Sequence, residues 1–155
     1  MSRGARRIPS PGAMQQLGAA LAAALPVDDG CVVYLQGELG TGKTTLARGL
    51  LGALGHDGRV KSPTYTLVES YPLGAWTVHH LDLYRIERPA EVAHLGVRDL
   101  GGPGELVLVE WPERGAGVLP RPDLTVFLQY DGETRLAELT GQSLAGVGVV
   151  ERLGY

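Results

Sequence analysis

Residues 31–55 read CVVYLQGELGTGKTTLARGLLGALG, passing from a β-rich apolar run through a glycine loop into a helical repeat. CVVYLQ has strand character. Beyond the loop, Leu46, Leu50 and Leu54 recur at helical spacing and Gly55 suits a C-terminal cap. The loop itself, GELGTGKT, fits the pattern G-x-x-x-x-G-K-[ST] with Gly37, Gly42, Lys43 and Thr44 in register. Glycines let the backbone curl so that successive N–H groups point at phosphate oxygens, and the helix that follows adds its positive N-terminal end. The expected phosphate-binding set is therefore Gly37, Glu38, Leu39, Gly40, Thr41, Gly42, Lys43, Thr44 and Thr45. In it Lys43 supplies a mobile charge to the β- and γ-phosphates, and Thr44 offers a hydroxyl to Mg²⁺. Glycine occupies 23 of 155 positions, so a glycine pattern alone would arise easily by chance. The strand–loop–helix setting is what that chance does not supply, and Lys43 is one of only two lysines, with Lys61, among 14 basic residues.

Working outward, the order of elements is that of an α/β chain. Ser10-Pro11 reads as an N-cap and first helical position, followed by Met14, Leu17, Leu21 and Leu25 at helical spacing. TYTLVESY (64–71) and AWTVHHLDLY (75–84) are strand-like around PLGA, which predicts an antiparallel hairpin. RPAEVAHLGVRDL (88–100) reads as a helix opened by Pro89 and Glu91. ELVLVE (105–110) has the unbroken apolar character of a central strand. DLTVFLQYDGETRLAEL (123–139) predicts two strands across Asp131-Gly132, while SLAGVGVVERL fits helix and strand equally. No repeat or linker divides the chain, so one domain spanning 1–155 is expected.

Composition narrows the class. Hydrophobic residues at 44% and a net charge of -3 describe an ordinary globular chain without the broad basic surface that naked nucleic acid requires. Cys31 is the single cysteine, which rules out an intrachain disulfide and points to a reducing compartment, hence a cytoplasmic protein. The arginines of MSRGARRIPSPG and the small residues of LGAALAAALP have a superficial likeness to an export signal, but Gln15 and Gln16 interrupt the apolar stretch. No apolar run approaches the roughly 20 residues that span a bilayer.

A nucleotide held by such a loop needs acidic partners for its metal and for water, commonly from the ends of neighbouring strands. Glu110 closes LVLVE and Asp82 closes WTVHHLD. Alone, Glu110 would be read as a strand reaching water; beside a phosphate loop it becomes a candidate metal ligand. Asp82 is a candidate for positioning or deprotonating water, with an ion pair to Arg85 as the alternative. Lys43, Asp82 and Glu110 thus form the candidate catalytic set, with Thr44 and Glu110 facing the metal.

Taken together, GELGTGKTT, KSPTYTLVESY, HHLDLYR and LVEWPER closely resemble the TsaE (YjeE) family of tRNA threonylcarbamoyladenosine biosynthesis ATPases, in order and in spacing. The resemblance runs from the first strand to about GVLPRPDL. It implies a single-domain P-loop NTPase fold with a mixed central sheet flanked by helices. It also implies an Mg²⁺-dependent ATPase, weak alone, whose ATP binding and hydrolysis support turnover of the TsaB–TsaD complex. That complex transfers threonylcarbamoyl to tRNA, so tRNA is met only indirectly and no membrane is involved. In the family the loop threonine and the glutamate of VEW hold Mg²⁺, which carries over to Thr44 and Glu110, and Asp82 matches the acid of D-x-Y-R. KSPTYT matches a segment that lies near the nucleotide, making Ser62, Thr64 and Thr66 candidate γ-phosphate sensors or plain turn hydroxyls.

Other residues have blander readings. His79 and His80 are adjacent and face opposite sides of a strand, and His56 and His94 lack ligand spacing, so structural or surface roles are expected for all four. Trp76 is a packing residue. Trp111 either caps the nucleotide site or covers the sheet end. Arg85, Arg114 and Arg121 are candidates to reach phosphate, but each is more often a surface cation. Two other functions fit the loop: a small-molecule kinase with RGAGVLPRP as lid, and an ATP-dependent binding module that needs no hydrolysis. Neither lysine lies in an N-K-x-D segment, which disfavours GTP.

Overall fold

The computed structural model describes residues 2–60, 63 and 66–155. Among them the chain forms strands β1 (Ser2–Ile8), β2 (Cys31–Gln36), β3 (Val68–Leu73), β4 (Trp76–Asp82), β5 (Glu105–Glu110), β6 (Leu124–Asp131) and β7 (Thr134–Gly141). Helices α1 (Pro11–Ala24), α2 (Lys43–Ala53), α3 (Pro89–Ala93) and α4 (Leu144–Leu153) accompany them. The strands make one sheet in the order β1-β7-β6-β2-β5-β4-β3. Its centre is parallel, β2 pairing with β5 and β6 and β5 with β4, while β3 and the β1–β7–β6 flank run antiparallel. The expected α/β class and mixed sheet are what the chain adopts.

Side chains alternate between two cores, as the two-residue period of a strand dictates. Val33, Leu35, Val78, Leu106 and Leu108 join Met14, Leu17, Leu21, Leu46, Leu50, Val149 and Val150 in the larger core, beneath α1, α2 and α4. Val32, Leu81, Val107 and Val109 face the other way, onto Leu83, Val92 and Leu119. Glu110 follows Leu106 and Leu108 on the α2 side, and Asp82 follows Val78 and His80 there. Period alone therefore turns both carboxylates toward the glycine loop.

The first helix forms as expected: the Ser10 hydroxyl accepts from the N–H of Ala13 at 3.1 Å, Pro11 opens the helix, and Met14, Leu17 and Leu21 are buried. It lies unusually close to α2. A Cβ on Gly18 would stand 2.1 Å from the Leu46 carbonyl oxygen, and one on Gly49 2.1 Å from that of Gln15, so glycine is required where the two helices cross. That contact braces the helix carrying the phosphate loop.

Four segments depart from the sequence reading or resolve it. Residues 2–8 form an edge strand paired with β7, with Ser2 opposite Gly141 and Ile8 opposite Arg135, although the arginine-rich arm has no apolar alternation to announce it. The helix read over 88–100 shrinks to Pro89–Ala93, because only Val92 and Val97 of that run are buried and such a short apolar stripe cannot sustain further turns. The ambiguous tail is a helix, capped by the Ser143 hydroxyl, which accepts from Gly146 N–H at 3.1 Å. The strand expected from residue 64 begins at Val68, and Leu67 before it has a left-handed backbone, φ 66°. Among the described residues no helix is long and apolar enough to cross a membrane.

Candidate functional site

The glycine loop leaves the C-terminal end of β2, the central parallel strand, and β5 and β4 end beside it. In open α/β sheets this end is where ligands bind. Registers align the two carboxylates, Asp82 opposite Glu110 across β4 and β5. Gly42, with φ 113°, is the last loop residue before α2, and a Cβ there would meet Met14 at 2.9 Å. A side chain at that position would thus strain the turn and push against α1.

The charged core of the site is small and buried. The buried polar and charged side chains of the described residues are Thr41, Lys43, His80, Asp82 and Glu110, at 1%, 5%, 0%, 5% and 2% exposure, and all sit at this end of the sheet. Thr44 Oγ1 donates to Glu110 Oε1 at 3.1 Å and to Oε2 at 3.3 Å. His80 Nε2 donates to Glu110 Oε2 at 2.7 Å. Asp82 Oδ1 accepts from the N–H of Tyr84 at 3.0 Å, and the N–H of Asp82 donates to the Leu67 carbonyl at 3.1 Å. This second bond ties Leu67, whose own N–H donates to the Pro63 carbonyl at 2.8 Å, to the carboxylate end of β4. Leu39, Lys43, Thr44, Asp82, Arg85, Glu110 and Trp111 share one open cleft.

Lys43 is turned onto its own loop, donating to the carbonyls of Gly37 and of Glu38, the latter at 3.0 Å. Thr41 Oγ1 donates to that same Glu38 oxygen at 2.8 Å. Burial pushes the Lys43 ammonium below its ordinary pKa, and the negative charges of Glu110, Glu113 and Asp82 pull it back up. An ammonium so poorly hydrated gains strongly from any anion entering the loop.

Trp111, for which two roles were open, lies beside the loop lysine and also packs on the sheet. Its backbone is left-handed, φ 59°, which turns the chain sharply after Glu110 and costs on the order of 1–2 kcal/mol for a residue with a side chain. The turn brings the indole under Lys43, with Nζ 4.1 Å from the ring centroid, and against Tyr84 at 5.2 Å. The same side chain packs against the smaller core. The Arg114 guanidinium lies 5.4 Å from the Trp111 ring and 5.6 Å from that of Tyr84.

Thr66, a candidate sensor, is exposed and its hydroxyl donates to Glu69 at 3.0 Å, away from the loop; Ser62 and Thr64 lie outside the described residues. The segment read as a kinase lid is tied down, since Tyr34 donates to the Pro120 carbonyl at 2.6 Å and Leu119 is buried. Two features escaped sequence reasoning. One is the contact of His80 with Glu110, since the histidine is buried as a structural role allows but its carboxylate partner was not foreseen; its place two residues before Asp82 was the available signal. The other is a second cavity of about 150 Å³ on the far side of the loop, where Ile8, Pro9 and Met14 face Gly40, Gly42 and Thr45. It exists because the unannounced β1 brings the N-terminal arm there.

Among the described residues no group of three or more His, Cys, Asp or Glu side chains forms a metal cage. The Thr44 hydroxyl and the Glu110 carboxylate are nevertheless two hard oxygen donors in contact, the kind of partial donor set that suits Mg²⁺ shared with nucleotide phosphates and water.

Comparison with known proteins gives one family. Residues 8–137 match the family described as threonylcarbamoyl adenosine biosynthesis protein TsaE. A Haemophilus influenzae protein named tRNA threonylcarbamoyladenosine biosynthesis protein TsaE is 44% identical over 126 residues, covering 81% of this chain and 80% of that protein. A protein of the same name from Synechocystis is 41% identical over 111 residues, 69% of each chain. The crystal structure of Bacillus subtilis YdiB superposes with a TM-score of 0.78 at 25% identity, covering 99% of this chain and 95% of that one.

Proposed function

This chain belongs to the TsaE family of tRNA threonylcarbamoyladenosine biosynthesis proteins, and from that premise we propose that it is the Mg²⁺-dependent ATPase of the pathway, supporting turnover of a TsaB–TsaD transfer complex. The observation that carries the reading is the contact of Thr44 with Glu110 at 3.1 Å directly behind a phosphate loop, with Asp82 in register beside it. A carboxylate that merely ended a strand would not be buried against the hydroxyl of a loop threonine.

In this reading Lys43 exchanges the Gly37 and Glu38 carbonyls for β- and γ-phosphate oxygens, and the N–H groups of the loop surround the rest of the phosphate chain. Thr44 and Glu110 hold Mg²⁺, which supplies neutralising charge on the phosphates as they react. Asp82 orients the attacking water and takes its proton. The cavity where Ile8, Pro9 and Met14 give an apolar wall and Ser10, Glu133 and Arg135 add polar groups receives the adenine, being continuous with the loop. Catalysis of this kind is mainly positioning and charge stabilisation, so hydrolysis by the isolated protein is slow and partners raise it.

The test combines ATP hydrolysis with tRNA modification by purified TsaB and TsaD. Glu110→Ala is expected to cost several kcal/mol of charge stabilisation, at least about 100-fold in Mg²⁺-dependent hydrolysis, and to stop sustained modification. Full activity in that variant would remove Glu110 from its role. Modification sustained by wild type with a non-hydrolysable ATP analogue would favour the binding-module function instead.

A further inference from the structure

We propose that His80 is a positioning residue that fixes the plane of the Glu110 carboxylate and so sets the protein's affinity for Mg²⁺ with nucleotide; this rests on the metal role proposed above for Glu110. The geometry starts in the strands. His80 and Asp82 share one face of β4, and Glu110 stands across from Asp82 on β5, so the His80 ring reaches diagonally to Glu110 rather than to a residue directly opposite. Nε2 meets Oε2 at 2.7 Å, with the histidine fully buried and the glutamate nearly so. A carboxylate only accepts, so the proton lies on Nε2.

Glu110 has two kinds of partner. Thr44 offers a hydroxyl that rotates freely and spans both carboxylate oxygens at 3.1 and 3.3 Å. His80 offers a single short, charge-assisted bond from a ring that close packing holds still. The bond that decides which way the carboxylate faces is therefore the histidine's. With Oε2 engaged by the ring, Oε1 remains on the side of Thr44 and the open cleft.

The other ring nitrogen supports the assignment. Nδ1 is buried and has no hydrogen-bond partner among the described residues. A buried polar atom left unpaired is a cost that an apolar residue of the same size would avoid. Packing alone therefore does not account for a histidine here; the Nε2–H donor does.

The experiment measures ADP affinity by calorimetry with Mg²⁺ and with EDTA, for wild type, His80→Met and His80→Gln. Methionine keeps the bulk without a donor, and glutamine restores an N–H near the position of Nε2. Loss of a hydrogen bond that orients a metal-binding carboxylate typically costs about 10- to 100-fold in metal affinity. Expected, then, is a loss of about that size in the Mg²⁺-dependent gain for His80→Met, unchanged affinity in EDTA, and recovery of most of the gain in His80→Gln. An undiminished Mg²⁺ gain in His80→Met overturns the proposal. So does an equal fall with and without Mg²⁺, which would make His80 structural only. Wild type showing no Mg²⁺ gain would instead overturn the metal reading of Glu110, and this inference with it. Should His80→Met fail to fold, long-range ¹H–¹⁵N spectra of the wild-type imidazole decide: a proton on Nε2 supports the assignment, and one on Nδ1 overturns it.

Discussion

Strands β1, β7 and β6 bury Ile8, Ala137, Leu139, Val126 and Leu128, all apolar, whereas β2, β5 and β4 bury Leu35 and Leu108 together with Glu110, His80 and Asp82. The two halves belong to one sheet and share one core beneath α1, α2 and α4. They differ in what ends there. The antiparallel flank closes in a hairpin turn, the exposed Asp131 at its corner, while the parallel strands end together at a glycine loop and the first turn of α2. Parallel strands aim their ends at one place, and buried charge is tolerated at that place because each group has partners. Burial in the flank mainly holds the sheet together, although Ile8 also reaches the second cavity; burial in the centre gathers the charged side chains.

That contrast can be broken. Asp82→Asn at the parallel end should reduce ATP hydrolysis by about 10²–10⁴-fold, the usual worth of a positioned base, while ATP binding survives. Steady-state kinetics would show kcat falling with KM nearly unchanged; a rise in KM alone would make Asp82 a binding residue. Leu139→Ala in the flank should lower stability by about 2–5 kcal/mol in chemical denaturation. Hydrolysis per folded molecule should stay at the wild-type level, and a loss resembling that of Asp82→Asn would show that the flank is more than scaffold.

A smaller effect distinguishes the two ends of β2. Cys31 begins the strand that the phosphate loop finishes, and burial, reinforced by the negative charge of Asp123, pushes its thiol from the ordinary 9.0 up to about 12. The folded chain keeps a proton that the unfolded chain releases in that window, so stability should fall as pH rises above 9.0 toward 12. Below that window the group has no effect on the pH dependence. The slope is at most roughly 1.4 kcal/mol per pH unit. Denaturation of wild type and Cys31→Ala from pH 7 to 10 would check it, the variant losing that part of the decline. The smallest effect belongs to the flank's surface, where Arg7 and Asp131 pair at 3.3 Å with side chains 70% and 46% exposed. Arg7→Ala should change stability by no more than about 0.5 kcal/mol.

Much of the centre was legible in the residues. CVVYLQ and ELVLVE became β2 and β5 with the bounds read from their apolar runs, and Asp131-Gly132 turned the hairpin between β6 and β7. These segments carry local signals: an apolar run, a glycine loop, a turn dipeptide. β1 carried none, since SRGARRI has no alternation and is a strand only because β7 presents an open edge. The same holds at the site. Lys43, Thr44 and Glu110 could be singled out by pattern, but the burial of His80 against Glu110 and the cavity beside Ile8 and Met14 depend on residues distant in sequence.

By itself, then, the sequence determined the glycine loop with its G-x-x-x-x-G-K-[ST] spacing, the strands that carry Asp82 and Glu110, and the family resemblance, because each is written in spacing along the chain. Tertiary structure alone decided that Glu110 is buried and clasped by Thr44 and His80, that Trp111 folds under Lys43, and that the N-terminal arm walls the second cavity. Burial and hydrogen bonding are properties of neighbours, and neighbours are set by how strands line up across a sheet.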